Sequence, residues 1–495
     1  MQYLEILMLL ASVFYIVFNR PVNKRLSKPY VVGLLIIILL VHLLFEGSRW
    51  QMIPAYFIWL IALITALRRA DATPSTLVFV LKTVGLFILL ALSVLLPSVL
   101  PVFKLPEPTG TYIVGTKDIH LELDRDEVIT VDPSDKRNLM IKAWYPSTEN
   151  GAEKDPYVDK AGRNGFAQKY GLPVSFLNYL DKVDTHVFRN VPIADGSFPV
   201  LIFSHGYNSK ANGYYALLSE IASQGYVVFA LNHTYESTGT SFPDGAEAYF
   251  DYAYADKIQK DTWHLMEPVI ESFKSDLSFE NRHSIVQKGL RDYFVKDMVE
   301  RWARDIIDVD KKLDNWNNSG FFKGSLDVSK VGVFGHSRGG GAAGHSLLME
   351  SRIKAGINLD GVQWGKIVDT TFQKPFLFLS ADWPAEHENL NQHAYINKSS
   401  SVFYEGIISQ TGHSNFMDIP LMVPLNSLSQ AGNIDPLYGL EISNKVVTYF
   451  FDKHLKNREL DMGELSSKYE ELDITVYKGD SLSSVSNLKQ TSEEE

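Results

Sequence analysis

The chain has 495 residues, is 45% hydrophobic, contains no cysteine and carries a formal net charge of −11. Without cysteine there is no disulfide framework, thiolate metal site, iron–sulfur cluster or thiol nucleophile, and the acidic balance argues against nucleic-acid binding, which needs clustered Lys and Arg. The mean hydropathy of −0.06 averages two unlike parts: residues 1–104 hold nine Lys/Arg against three Asp/Glu, whereas the remainder holds 38 against 55.

Four apolar runs open the chain, at residues 3–18, 30–45, 52–67 and 77–99, each near or slightly below the roughly 20 residues that span a bilayer core. They predict a four-helix transmembrane anchor over residues 1–104. A cleaved signal peptide does not explain them, because three further apolar runs follow the first. Short loops rich in Lys and Arg stay in the cytoplasm. The loop after the first run carries Arg20, Lys24, Arg25 and Lys28, and the loop after the third carries Arg68 and Arg69, while the second offers only Arg49. The N-terminus and the large acidic part are therefore expected on the extracytoplasmic side of a multi-pass membrane protein. Glu5, Glu46, Arg49, Asp71 and Lys82 lie within or beside the spans, mostly near ends where side chains can snorkel to the interface, so the helices are read as an anchor rather than a pore.

From about residue 110 the pattern changes to short apolar or β-branched runs, at 139–144, 199–203, 227–231, 331–334, 355–359, 375–379 and 401–404. Several are continuous, as expected of strands buried on both faces. Amphipathic stretches at 214–224, 298–313 and 340–349 lie between them, so the expectation is an α/β fold with a mostly parallel sheet covered by helices. Residues 244–297 interrupt the alternation as a helical insertion, a common source of lids. A last helix is predicted over 439–455. The catalytic domain is thus expected to span 105–456, followed by a polar tail over 457–495 whose last ten or so residues read as disordered.

The run Val331-Gly332-Val333-Phe334 leads into Gly335-His336-Ser337-Arg338-Gly339 and then into a helix rich in small residues. A nucleophile elbow needs this strand–turn–helix context, with glycines where neighbouring backbone leaves no room for a side chain. Ser337 is the predicted nucleophile. Its oxyanion hole is expected from the backbone N–H of Arg338 and of Tyr207, in the turn after the strand at 199–203. The base should be a histidine downstream. His345 and His454 fall within helices, whereas His413 follows the last strand of the run on a loop opened by Gly412. His387-Glu388 does not continue as a zinc-binding helix, since Asn391 stands where a second histidine is needed. Two strands end in aspartate, at Asp360 and Asp382, and spacing alone leaves both open as the acid.

Further short stretches are shared with one known family. They include Pro108-Thr109-Gly110, Val114-Gly115-Thr116, Trp144-Tyr145-Pro146, Phe203-Ser204-His205-Gly206, Gly356-Ile357-Asn358-Leu359-Asp360 and His413-Ser414-Asn415-Phe416-Met417-Asp418. With the elbow and Ser443-Asn444-Lys445, they make residues 108–456 resemble the platelet-activating factor acetylhydrolase family, α/β-hydrolases of the plasma and intracellular type II kind. The resemblance implies Ser337, Asp360 and His413 as the triad, the amides of Tyr207 and Arg338 as the oxyanion hole, and Asp382 as a structural residue. It implies hydrolysis of short or oxidised acyl esters of phospholipids, with no metal or organic cofactor; the alternatives are a broad carboxylesterase acting on small soluble esters and a non-catalytic membrane sensor that keeps a hydrolase fold, against which the intact Ser, Asp and His set argues. Two departures stand out: the animal enzymes lack a four-helix anchor, and they commonly carry Phe where this chain has Arg338.

Overall fold

A computed structural model of the chain describes residues 1–68, 75–368 and 370–478. Arg69, Asp71 and the terminal residues read as disordered lie outside the described residues. The chain forms two compact units. One comprises Met1–Lys104 with Pro173–Val183 and Leu421–Ser429, and the other comprises the remaining residues.

In the first unit, helices α1 (Tyr3–Arg25), α2 (Lys28–Phe45), α3 (Ile53–Leu67) and α4 (Thr76–Val99) are separated by short connections. Four segments, with a turn at Trp50 extending α3, are long and apolar enough to cross a membrane. Helix α3 is central: Ala55, Ile58, Ala62 and Ala66 are fully buried, and the three alanines let neighbouring helices approach closely. The outward faces stay apolar, with Leu81, Phe87 and Leu40 largely exposed.

Glu5, Glu46 and Arg49 do not snorkel. Arg49 Nε and Nη2 each lie 2.7 Å from a carboxylate oxygen of Glu5, and both side chains are buried. Glu46 accepts from the amides of Leu4 and Glu5 at 2.7 and 2.9 Å, and His42 bridges Glu46 and Tyr56. The first amides of a helix have no partner within it. Glu46 supplies that partner to α1, and Arg49 balances the second carboxylate, so these charges fasten helices together.

The second unit is built on strands β1 (Ile113–Asp126), β2 (Lys136–Ser147), β3 (Val187–Arg189), β4 (Phe198–Ser204), β5 (Val227–Asn232), β6 (Gly239–Ser241), β7 (Glu247–Tyr249), β8 (Leu326–His336), β9 (Ile353–Leu359), β10 (Phe376–Ala381), β11 (Val402–Ile408) and β12 (Leu472–Lys478). All but the β6–β7 hairpin join one ten-stranded sheet in the order β12-β11-β10-β9-β8-β4-β5-β2-β1-β3. From β11 to β5 the strands are parallel; β2, β1 and β12 are added antiparallel. Every residue of β4 and β5 is buried, which is why these strands read as unbroken apolar runs.

Helices α5 (Lys160–Lys169), α6 (Tyr215–Ser223), α7 (Tyr252–Lys274), α8 (Phe279–Asp292), α9 (Val295–Asn318), α10 (Arg338–Met349) and α11 (Leu390–Ala394) follow, with a long helix at Pro436–His454. The expected insertion over 244–297 consists of the rest of the β6–β7 hairpin, then α7 and α8; α9 starts at Val295 and packs Trp302, Ile306 and Val309 into the main core. Residues 457–478, expected as the start of a polar tail, instead form a helix at Met462–Lys468 and the edge strand β12. An edge strand buries little: only Leu472 of β12 is buried, so its sequence carries polar residues that resemble a tail.

Candidate active site

The carboxyl ends of parallel strands are where open α/β sheets place their ligands, and the loops after β4, β8, β9 and β11 carry all of the predicted site residues. Strand β8 ends at His336, and the chain reverses at Ser337 into α10. Ser337 has φ +56° and ψ −126°, a conformation that costs roughly 1–3 kcal/mol and persists only where its surroundings impose it. The glycines around it are steric requirements. A Cβ on Gly335 would lie 2.3 Å from the carbonyl oxygen of Gly339, and one on Gly339 would lie 2.2 Å from that of Ser204. The Ser337 amide donates to Leu359 O at 2.9 Å, tying the elbow to the end of β9.

Asp360 follows directly, also at positive φ (+51°). Its Oδ2 lies 2.6 Å from His413 Nδ1. Its Oδ1 accepts from the Ala381 amide and from Trp383 Nε1, both at 2.9 Å. A carboxylate can only accept, so His413 carries its proton on Nδ1 and presents a bare Nε2. Asp382 does not reach His413; its Oδ2 accepts from the Gln410 amide at 2.8 Å and so holds the turn that leads to His413. Ser337, Asp360 and His413 line one cavity of about 720 Å³ together with Arg338, Trp364 and Trp383. Among the described residues, no hydrogen bond joins Ser337 to His413; such contacts often close only when substrate is bound.

The turn after β4 abuts the elbow. A Cβ on Gly206 would lie 3.4 Å from Ser337 Cβ, and neither the Tyr207 amide nor the Arg338 amide donates to an acceptor among the described residues. His205 is occupied locally, with Nδ1 2.7 Å from Gly206 O and Nε2 accepting from the His233 amide at 3.2 Å. One connection gave no signal in the sequence. His336 Nε2 lies 3.0 Å from His413 O, which can only accept, and His336 Nδ1 lies 2.8 Å from Tyr214 Oη, which in turn accepts from the Gly206 amide at 2.9 Å. Burial holds His336 well below the ordinary histidine range, so it stays neutral and bridges the base loop to the turn carrying Tyr207. Trp383 Nε1, aimed at Asp360, was equally silent in sequence.

A second Ser–His–Asp chain lies under this turn. Ser204 Oγ is 2.8 Å from His233 Nε2, and His233 Nδ1 is 2.8 Å from Asp305 Oδ2. Burial alone would raise the Asp305 carboxyl, but Arg137, 2.7 Å away, and His233 hold it far below the usual range. The side chains of His233, Asp305 and Arg137 are fully buried, and so is Ser204.

Residues 99–473 match the family model described as platelet-activating factor acetylhydrolase, isoform II. The platelet-activating factor acetylhydrolase of Cavia porcellus is 25% identical over 371 residues, covering 71% of this chain and 78% of the relative. That of Gallus gallus is also 25% identical, covering 71% and 84%. A probable 1-alkyl-2-acetylglycerophosphocholine esterase of Arthroderma benhamiae is 22% identical, covering 75% and 93%. Among solved structures, the ferulic acid esterase from Streptomyces cinnamoneus superposes with a TM-score of 0.57 at 23% identity, covering 75% of this chain and 99% of that one.

Proposed function

This chain belongs to the platelet-activating factor acetylhydrolase isoform II family and is an ester hydrolase of that type, and we propose that it acts as a membrane-anchored serine esterase on short or oxidised acyl esters of phospholipids. The observation that carries the assignment of roles is the 2.6 Å contact between His413 Nδ1 and Asp360 Oδ2, in a cavity that Ser337 also lines. In this reading Ser337 Oγ attacks the ester carbonyl as His413 Nε2 takes its proton. The oxyanion that forms is stabilised by the amides of Tyr207 and Arg338. His413 then protonates the leaving alcohol, and water, activated by the same imidazole, releases the acyl group. Asp360 keeps the tautomer correct and stabilises the imidazolium.

Ser204 and His233 are also in direct contact, which is the geometry of a catalytic pair. Their complete burial favours a structural role, because a nucleophile must meet an ester carbonyl. The four apolar helices, with their exposed Leu, Ile and Phe faces, support a bilayer anchor, and the Lys and Arg of the first loop favour the catalytic unit lying outside. An anchor raises the effective concentration of lipid substrate.

The test is hydrolysis by the full chain in detergent micelles, across sn-2 acyl lengths from acetyl to palmitoyl and on simple aryl esters, with Ser337→Ala and Ser204→Ala in parallel. Short-chain phospholipid activity lost only with Ser337→Ala is the expected result. Activity on aryl esters alone would leave an anchored esterase of other substrate, and loss with Ser204→Ala alone would move the nucleophile.

A further inference from the structure

Two arginines line the cavity, and they are held very differently. Arg282, on α8, donates to the carbonyls of Ser272 and Ser275 at 3.1 and 3.2 Å and so caps the end of α7. Arg338 has no such commitment. Its guanidinium lies 3.7 Å from the centroid of the Tyr207 ring and 5.5 Å from that of Phe294, and Nη1 contacts Met298 Sδ at 3.4 Å. Among the described residues it meets no carboxylate within ion-pair distance and no carbonyl oxygen within hydrogen-bond distance. A guanidinium has five N–H donors and cannot shed its charge by deprotonation; Arg338 is half-buried at the cavity wall, where its uncommitted donors are open to the acceptors of a ligand. The aromatic groups of Tyr207 and Phe294 hold the cation in place, and Met298 Sδ and Tyr207 take up only part of its five donors.

The carboxylates that share the cavity do not fill this role. Asp360 faces His413, Asp382 accepts from the Gln410 amide, and Glu405 is paired with Lys398 at 3.0 Å. Glu386 and Glu388 come from the 382–389 loop and make no ion pair with Arg338. Burial pulls the Arg338 guanidinium below its ordinary pKa, against the opposing influence of Tyr207 and, more weakly, of Glu236, whose carboxylate is itself paired with Arg301.

We propose that Arg338 is a specificity-determining residue whose guanidinium binds an anionic oxygen group of the substrate beside the scissile ester. The inference rests on Ser337 being the nucleophile and deepens that reading. The same residue offers its amide to the oxyanion, so the bound anion sits one side chain away from the reacting carbonyl. Two substrate groups have this chemistry: the phosphodiester of a glycerophospholipid, on the alcohol side, and a terminal carboxylate on a short acyl chain. Paired charge-assisted hydrogen bonds suit a guanidinium to either one.

The experiment uses the full chain in detergent micelles and two matched pairs of substrates. The first pair is the p-nitrophenyl esters of hexanoic acid and of adipic acid, which differ by an acyl carboxylate. The second is dibutyrylglycerol and dibutyrylphosphatidylmethanol, which differ by a phosphodiester without a cationic head group. Wild type is expected to favour the anionic member of at least one pair by about 10- to 100-fold in kcat/KM, the range for a hydrogen bond to a charged group. The pair that shows the preference identifies the source of the anion. Arg338→Met should collapse the ratio to within about threefold, while Arg338→Lys should retain part of it, since it keeps the charge but loses the fork. Because each variant is read as a ratio between substrates, a general loss of rate from disturbing the elbow leaves the result interpretable. Equal handling of both members of both pairs by wild type, or a ratio that survives Arg338→Met, would overturn the proposal while leaving the esterase standing. Failure to hydrolyse any of the four would overturn both.

Discussion

Replacing Asp360 by Asn tests the site through a single proton. Asp360 Oδ1 is fixed by two N–H donors, the Ala381 amide and Trp383 Nε1, each at 2.9 Å, while Oδ2 lies 2.6 Å from His413 Nδ1. An asparagine at this position must place its oxygen where those two donors point, which turns its NH2 toward His413. Nδ1 then has to accept, so the imidazole proton moves to Nε2, where a bare lone pair is needed to activate Ser337. The shape of the site is preserved and its tautomer is reversed. The expected loss in kcat is about 10⁴-fold, equivalent to about 5.5 kcal/mol of transition-state stabilisation. Asp382→Asn replaces a charged acceptor of the Gln410 amide by a neutral one and is expected to lower kcat by less than about tenfold, because the asparagine oxygen can still accept that bond and the contact sits behind the base loop. Both variants are assayed on an aryl ester, with thermal unfolding as a control for the fold. A rate for Asp360→Asn within about tenfold of wild type, or an equal loss in Asp382→Asn, would refute the reasoning.

Ser204→Ala is expected to leave kcat within about threefold of wild type and fluorophosphonate labelling of Ser337 intact, while lowering stability by about 1–3 kcal/mol as His233 Nε2 loses its partner; loss of labelling would show the sealed serine to be the reactive one. Asp418 accepts from the amides of Tyr215 and Ala216 at the start of α6, and burial pushes its carboxyl from 3.8 up to about 8. The folded state therefore holds a proton that the unfolded chain releases, so this contribution to stability is complete below about pH 4 and is lost as the pH rises toward 8. Unfolding midpoints measured from pH 4 to 9 should fall over that window in wild type, and Asp418→Asn should flatten the slope; equal slopes would place an ionised carboxylate at Asp418.

How much of this was legible in the sequence depended on burial. Strands β4 and β5 are buried throughout, and β8 and β9 are buried over their second halves, so each contributes an apolar run that identifies it. Strand β1 alternates (Ile119, Leu121 and Leu123 against His120, Glu122 and Asp124) but is punctuated by Gly115 and Lys117, so it is not among the predicted strands, and β12 buries one residue and reads as tail. The elbow was legible because its glycines answer to backbone contacts near 2.3 Å, a local constraint that sequence records directly. The choice between Asp360 and Asp382 was not, because both follow adjacent parallel strands and differ only in how their loops turn. Glu5 and Arg49 stand 44 residues apart, and nothing in either neighbourhood announces that they meet.

The two Ser–His–Asp chains of this unit differ in where backbone strain is placed, which is an argument about function independent of exposure. Ser337 and Asp360 both occupy positive φ, at +56° and +51°, on adjoining strand ends joined by the Ser337 amide and Leu359 O. Ser204, His233 and Asp305 all lie at ordinary φ, within or beside regular strands and a helix. Positive φ in residues with a Cβ is kept only where the surroundings over-determine it. Here the close backbone at Gly335 and Gly339 does so for the serine, and the donors from Ala381 and Trp383 do so for the aspartate. Ser337 at this turn lines the cavity and the Asp360 carboxylate meets His413, whereas Ser204, an unstrained residue at the end of β4, turns its hydroxyl to the buried His233. A structural hydrogen-bond chain gains nothing from such strain. A reacting one needs it, because the nucleophile must stand clear of its own strand to meet an ester carbonyl.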